Sequence, residues 1–341
     1  MAKIGLVMAT WNGRRFLGEM LDSLVRQTRR IDAMVAVDDG SSDGTPEILE
    51  SYAGKLPMRV VVLPENGGHL KAFETGLSLL REELGPGDLV ALADQDDVWN
   101  DDHVELLERS LGGADMVFGD AEAIDAAGDL LAPSWRAYAG IPAELPVRAR
   151  IAGTNNATGC LSLFRASLLD AALPFPEGVA LHDWWLALCA AARAGAKAVP
   201  DSVARYRLHG NNAVGAGRNY PFRETVERQR RWCGAVAEAG GRIGLAPEDV
   251  AFARELLDYW TERGTRPLLW NRAPWLWRNR AFLFPRRERR AAKLLFSTLG
   301  ESTCAPKRIL LTTTIGRQGH RFRGTAESTY MRQPLARYWP I

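Results

Sequence analysis

Leu89-Val90-Ala91-Leu92-Ala93-Asp94-Gln95-Asp96-Asp97-Val98-Trp99 is the stretch that decides the fold. Its first five residues form an unbroken apolar run after the breaker Gly85-Pro86-Gly87-Asp88, as expected of a strand covered on both faces. The run ends in three carboxylates within four positions. Crowded carboxylates repel one another unless a cation or strong donors sit among them. Asp-x-Asp offers a divalent ion two hard oxygen ligands from a very short segment. Taken alone, the pattern reads as a solvated acidic turn.

Its neighbours change that reading. Apolar runs at 4–9, 33–37 and 58–63 precede it. Helical spacing lies between them, through Phe16, Met20, Leu21, Leu24 and Val25, then Ile48, Leu49 and Tyr52 after Pro46, then 69–84. Strand alternating with helix predicts βαβ units and a largely parallel sheet, so an α/β Rossmann-like fold. In such sheets ligands lie beyond the carboxyl ends of the strands. Four polar clusters fall there: Thr10-Trp11-Asn12, Asp38-Asp39-Gly40, Asn66-Gly67-Gly68 and Asp94-Gln95-Asp96. They converge on one crevice. The chain has neither a Gly-x-Gly-x-x-Gly after the first strand nor a Gly-x-x-x-x-Gly-Lys-Ser/Thr, so a phosphorylated ligand there requires a metal to neutralise it.

Further on, 116–119 reads as a fifth strand, 121–124 with 130–131 as a hairpin, 132–158 as irregular chain and 160–164 as another strand. His182-Asp183-Trp184-Trp185 opens a helix to about residue 194. Asp183 is there either a helix-dipole partner or a base set between two indoles. A strand at 203–208 runs into His209, which is either a surface residue or a ligand. Two amphipathic helices are predicted at 221–240 and 247–263. Residues 264–293 then mix Trp270, Trp275, Trp277, Phe282 and Phe284 with arginines.

The net charge of +2 conceals an asymmetry. Residues 221–341 carry 23 Lys+Arg against 11 Asp+Glu, and residues 1–220 carry 20 against 30. A basic, Trp-bearing region on an acidic body suits an anionic membrane surface or nucleic acid, or else is a packed helical cap with a solvated basic face. Cys160, Cys189, Cys233 and Cys304 form no Cys-x-x-Cys, so neither a zinc knuckle nor a disulfide framework is expected. A cytoplasmic location is the expectation, with no signal peptide and no apolar run long enough to span a bilayer.

Ala9-Thr10-Trp11-Asn12-Gly13, Asp38-Asp39-Gly40-Ser41-Ser42-Asp43-Gly44-Thr45, Asn66-Gly67-Gly68, Asp94 to Trp99, His182 to Trp185 and Tyr206-Arg207-Leu208-His209-Gly210-Asn211-Asn212 occur in this order. Together they resemble a bacterial family 2 glycosyltransferase of GT-A fold, in its rhamnosyltransferase-like branch. The resemblance covers about residues 3–215. It implies a catalytic domain at 1–215, with a nucleotide-sugar half to about 120 and an acceptor half after it. Residues 216–341 would then form a helical, basic extension.

The resemblance also assigns roles. Asp39 meets the nucleotide base beside Thr10, and Asn12, Asn66, Lys71, Asp94 and Gln95 complete the donor site. Asp96 is the Mg²⁺ or Mn²⁺ ligand, assisted by Asp94 and His209, while Asp97 is structural. Asp183 is the general base of a single inverting displacement, and Trp99, His182, Trp184 and Trp185 face the sugar or acceptor. The implied donor is a dTDP- or UDP-sugar, with rhamnose the first candidate. The implied acceptor is a cell-surface glycan or lipid-linked glycan at the inner face of the cytoplasmic membrane, and no nucleic acid partner is expected.

Two departures stand out. Asn100-Asp101-Asp102 replaces a proline-containing turn, and Gln229-Arg230-Arg231-Trp232 is one residue short of Gln-x-x-Arg-Trp, against a processive synthase. A haloacid dehalogenase-type phosphatase would need Asp where Ser41 stands. The remaining alternative is a catalytically silent sugar-nucleotide or membrane-binding module.

Overall fold

The computed structural model describes residues 1–210, 220–266 and 268–284. Nine strands form one sheet: β1 (Ile4–Thr10), β2 (Ala33–Asp38), β3 (Met58–Val62), β4 (Leu89–Ala93), β5 (Val98–Trp99), β6 (Met116–Ile124), β7 (Leu130–Ala132), β8 (Ser162–Arg165) and β9 (Ala196–Arg207). Their spatial order is β3-β2-β1-β4-β8-β6-β9-β5, with β7 on β6. The β3-β2-β1-β4 half is parallel throughout, as is the β6–β9 pair. Strands β8 and β5 and the β7 hairpin run antiparallel to their neighbours.

The first four strands read as unbroken apolar runs because both faces of the sheet are covered. Val7, Val35, Val37, Val90 and Leu92 pack on one side with Phe73, Leu77 and Leu80 of the His69–Arg81 helix. Leu6, Met8, Met34 and Ala36 pack on the other with Leu17, Met20, Leu21 and Leu24 of the Leu17–Val25 helix. Strand period two therefore divides each run between two cores.

Beyond β4 the chain differs from the expectation in several places. The pieces 116–119 and 121–124 are one strand, β6, whose register against β9 shifts around Asp120. The 132–158 segment is not irregular throughout, because helices Trp135–Ala139 and Val147–Ile151 lie within it. Five residues are too few to show helical periodicity, and the N-cap Ser134, whose Oγ accepts from the Ala137 N–H and donates to Asp120, defines the first of them locally. Val98–Trp99 forms a two-residue strand on β9, which fixes the chain just past the acidic cluster.

Helices Phe222–Ala239, Pro247–Thr265 and Ala273–Leu283 follow. Their Trp232, Cys233, Val236, Phe252, Leu256, Leu276 and Leu283 join the same buried cluster as Trp185, Leu186 and Leu188. The described part of the C-terminal region thus shares the domain's core, packed against the Val147–Ile151 and His182–Ala191 helices. Residues 211–219 and 285–341, including Asn211, Asn212 and the basic run at 286–290, lie outside the described residues.

Gly76 is where the His69–Arg81 helix meets the sheet, and a Cβ there would overlap the Val7 side chain. Helix propensity favours alanine by about 1 kcal/mol, whereas overpacking a buried contact costs about 1–3 kcal/mol. Gly76→Ala should therefore lower stability by about 1 kcal/mol, measured as the urea midpoint at unchanged m-value.

Candidate active site

A cavity of ≈ 560 Å³ opens at the carboxyl ends of β1, β2 and β4. Asp39, Asp94, Asp96 and Asp183 all line it, and no Lys or Arg does so among the described residues. Burial, and then the neighbouring Asp96 charge, push the Asp94 carboxyl up to about 7. Burial likewise raises Asp183 to about 7, with the Asp94 charge adding to it. Such a wall cannot receive an anionic diphosphate until its charge is offset.

The floor is clamped from β9. His209 Nε2 lies 2.8 Å from Asp96 Oδ2. Buried Arg207 donates from Nε to the Asp96 carbonyl (2.8 Å) and from its backbone N–H to Asp97 Oδ1 (2.9 Å), and its guanidinium reaches Glu19. Asp97 is 1% exposed and its Oδ2 has no hydrogen-bond partner. Burial and the charges of Asp96 and Asp94 hold the Asp97 carboxyl well above the carboxylate range.

Two groups of side chains could take a cation. The donor atoms of Asp94, Asp97 and Cys160 lie within 4.8 Å of one another. The Cys160 thiol, however, is pushed up by burial and by Asp97, making it a poor partner for a hard ion. Asp94 and Asp96 line the cavity itself, with His209 against Asp96. The 2.8 Å Asp96–His209 contact is a hydrogen bond, so the fit to a hard ion rests on the carboxylate oxygens of Asp94 and Asp96 that face the cavity.

The strand-end loops are held by side chains on their neighbours. Gln95 accepts from the Trp11 N–H (2.8 Å) and donates to its carbonyl (3.0 Å), and Gly13 leaves room for the Gln95 amide. The Trp11 indole is left 52% exposed at the cavity. Thr10 Oγ1 donates to Asp38 Oδ1. The two oxygens of Asp39 accept from the Gly67 and Gly68 N–H groups, both at 2.8 Å, and Gly68 has φ +87°. Asp39 thus ties the end of β2 to the start of the His69–Arg81 helix.

The opposite wall carries the His182–Ala191 helix. Asp183 Oδ1 accepts from the Trp184 N–H, leaving the carboxyl facing the cavity. His182 stacks on Phe73 at 3.8 Å, and burial holds its imidazole down at about 3, so it is neutral. Behind this wall Arg150 is 3% exposed and donates to the Asn155 and Asn156 side-chain oxygens.

Residues 6–173 match the sequence profile described as "Glycosyl transferase family 2". That region belongs to the family. The chain is similar to the uncharacterized glycosyltransferase YwdF of Bacillus subtilis, 31% identical over 36% of this chain and 43% of YwdF. It is also similar to the dTDP-rhamnosyl transferase RfbG of Shigella flexneri, 26% identical over 65% of this chain and 77% of RfbG. The chain spans roughly half the length of the curated relatives it matches first. Residues 1–349 of S. aureus TarS in complex with UDP-GlcNAc share the fold, with a TM-score of 0.54 and 17% identity over 87% of this chain and 81% of that one. The architecture is the GT-A fold.

Within this family 2 domain the structure brings together Thr10, Asp39, Asn66, Asp94, Gln95, Asp96, His182, Asp183 and Trp184, all lining the cavity. Five residues assigned to the site do not line it, His209 among them, whose imidazole reaches Asp96 from outside the lining. Trp99 is 1% exposed, because pairing of β5 with β9 turns its indole into the core, stacked on His103 at 3.6 Å. Trp185 is fully buried and donates to the Ala172 carbonyl. Asn12, at φ +47°, accepts from the Ser42 N–H and braces the loop. Lys71 is exposed, its stem beside Gly67. Gln95 lines the cavity, but its amide is engaged by Trp11.

The sequence reading passed over His69, Trp135, Tyr206 and Phe284, all of which line the cavity. Tyr206 lay inside a recognised motif. Phe284 was read only as part of the Trp/Arg-rich stretch, since it is the packing of the Ala273–Leu283 helix that brings it to the cavity.

Asp183 generates a stability prediction. A carboxyl whose folded pKa is raised binds its proton more tightly when folded, so stability falls as pH rises from about 4 through 7. Asp183→Asn removes that dependence. Its gain in Tm over wild type should be larger at pH 8 than at pH 5, as read by calorimetric melts.

Proposed function

We propose that the chain is an inverting, divalent-cation-dependent glycosyltransferase. It moves a sugar from a dTDP- or UDP-sugar, rhamnose being the first candidate, to a hydroxyl of a cell-surface or lipid-linked glycan. The acceptor would be presented at the inner face of the cytoplasmic membrane, with the chain peripheral there. No helix among the described residues is long and apolar enough to cross a membrane. The similarity to a dTDP-rhamnosyl transferase supports the donor class.

One observation carries the reading: Asp183, a carboxyl raised to about 7, shares a cavity with Asp94 and Asp96 where no basic side chain lines the wall among the described residues. The same pairing of a base with an acidic floor weighs against a silent binding module. Asp183 takes the proton of the acceptor hydroxyl, and that oxygen attacks the anomeric carbon from the face opposite the diphosphate. The carbon–oxygen bond to the diphosphate breaks, and the electron pair leaves with it. A bound cation would supply charge neutralisation for the departing diphosphate, held by Asp96 and Asp94 with His209. Gln95 fixes Trp11, and Asp39 fixes the Gly67-Gly68 turn, so the donor enters a wall set before it arrives.

Asp183→Asn should lower transfer by about 10²–10⁴-fold with donor affinity nearly unchanged, as measured by calorimetry beside a transfer assay. In the wild type, kcat should rise with pH through about 7, because only the deprotonated carboxyl is a base. A flat profile from pH 6 to 8 would contradict that role. Asp96→Ala should bind the nucleotide sugar equally with and without Mn²⁺, whereas wild type should bind more tightly with it.

A further inference from the structure

The described chain ends in a surface the transfer reaction does not use. In the Ala273–Leu283 helix, Leu276, Asn279 and Leu283 are buried, whereas Pro274, Trp277, Arg278 and Ala281 are exposed. The exposed positions follow the i, i+3, i+4, i+7 spacing of one stripe. Trp277 is 58% exposed, and Trp270 and Leu268 just before the helix are 62% and 45% exposed. Residues 266–284 contain four arginines and no Asp or Glu. Arg280 sits 4.3 Å from the centre of the Trp277 ring.

These features share an element with the active site. Phe284, at the end of that helix, lines the cavity beside its apolar wall of Trp135, Ala139, Ile141 and Pro142. Glu255 and Glu262 of the preceding helix are taken up by Trp275 and Arg272. A segment of indoles and guanidinium groups with no carboxylate of its own matches the headgroup region of an anionic bilayer, where indoles settle at the interface and arginines meet lipid charge. Nucleic acid fits less well, because binding it needs a basic groove tracking the backbone. Here Arg272 is tied to Glu262 and Leu268 is exposed between the cations.

We propose that Leu268, Trp270 and Trp277 dock on an anionic lipid bilayer and hold the Phe284 end of the cavity against it. The inference rests on the reading of a membrane-borne acceptor and names the surface that meets the membrane.

The full chain would be co-sedimented with vesicles of phosphatidylcholine plus phosphatidylglycerol, and of phosphatidylcholine alone. Wild type should bind the anionic vesicles, and the Trp270→Glu/Trp277→Glu variant should lose that binding by roughly tenfold or more. Leu130→Glu/Leu131→Glu, which alters exposed leucines at 57% and 47% on β7, should retain it. Trp270→Ala/Trp277→Ala provides a second test free of added charge, with a smaller loss expected. No vesicle binding by wild type, equal binding by both tryptophan variants, or capture of duplex RNA in preference to vesicles would overturn the proposal. Donor affinity with Mn²⁺, measured on the same samples, separates the two readings. Vesicle binding without donor binding would overturn the transferase reading and leave the docking surface standing.

Discussion

Electrostatic repulsion among crowded, buried and half-buried carboxylates is the constraint on which the rest of this structure depends. Asp39, Asp94, Asp96 and Asp183 face one cavity, and Asp97 lies buried directly beneath. Burial first, and then the neighbouring charges, raise both Asp94 and Asp183 to about 7. A divalent cation answers the same repulsion without protons and converts the acidic floor into a receptor for diphosphate.

Much of the surrounding architecture keeps those carboxylates where they are. Arg207 joins the Asp96 carbonyl, the Asp97 carboxylate and Glu19, and so ties the floor to β9 and to the Leu17–Val25 helix. The long β9, twelve residues paired to both β6 and β5, gives that clamp a rigid base. Facing loops are secured by the Gln95 amide on Trp11 and by the Asp39 carboxylate on two glycine amides. Their polar groups are satisfied within the protein, so the loops are ordered before any ligand arrives. The C-terminal helices extend the same core and bring Phe284 to the cavity.

The strand–helix alternation of the first hundred residues was legible, because runs such as 33–37 and Leu89–Ala93 are apolar on both faces only when helices cover both sides of a sheet. The convergence of Thr10, Asp39, Asn66 and Asp94 on one edge was legible too, since parallel strands end on the same side. The chain beyond β4 was harder to read. Two five-residue helices and a two-residue strand carry no usable periodicity, and the shift at Asp120 made one strand look like two.

The sequence by itself determined the fold class and the acidic strand end, because apolar periodicity and the order of the polar clusters are local properties of the chain; Asp183 as candidate base came from the resemblance of its motif. Only the tertiary structure decided which large side chains face the cavity. Trp184 lines it while its neighbour Trp185 is buried, and Trp99 turns into the core while Phe284, far away in sequence, turns toward the site. An indole suits a core as well as a sugar face. Which it serves depends on the elements packed against it, and those come from distant parts of the chain.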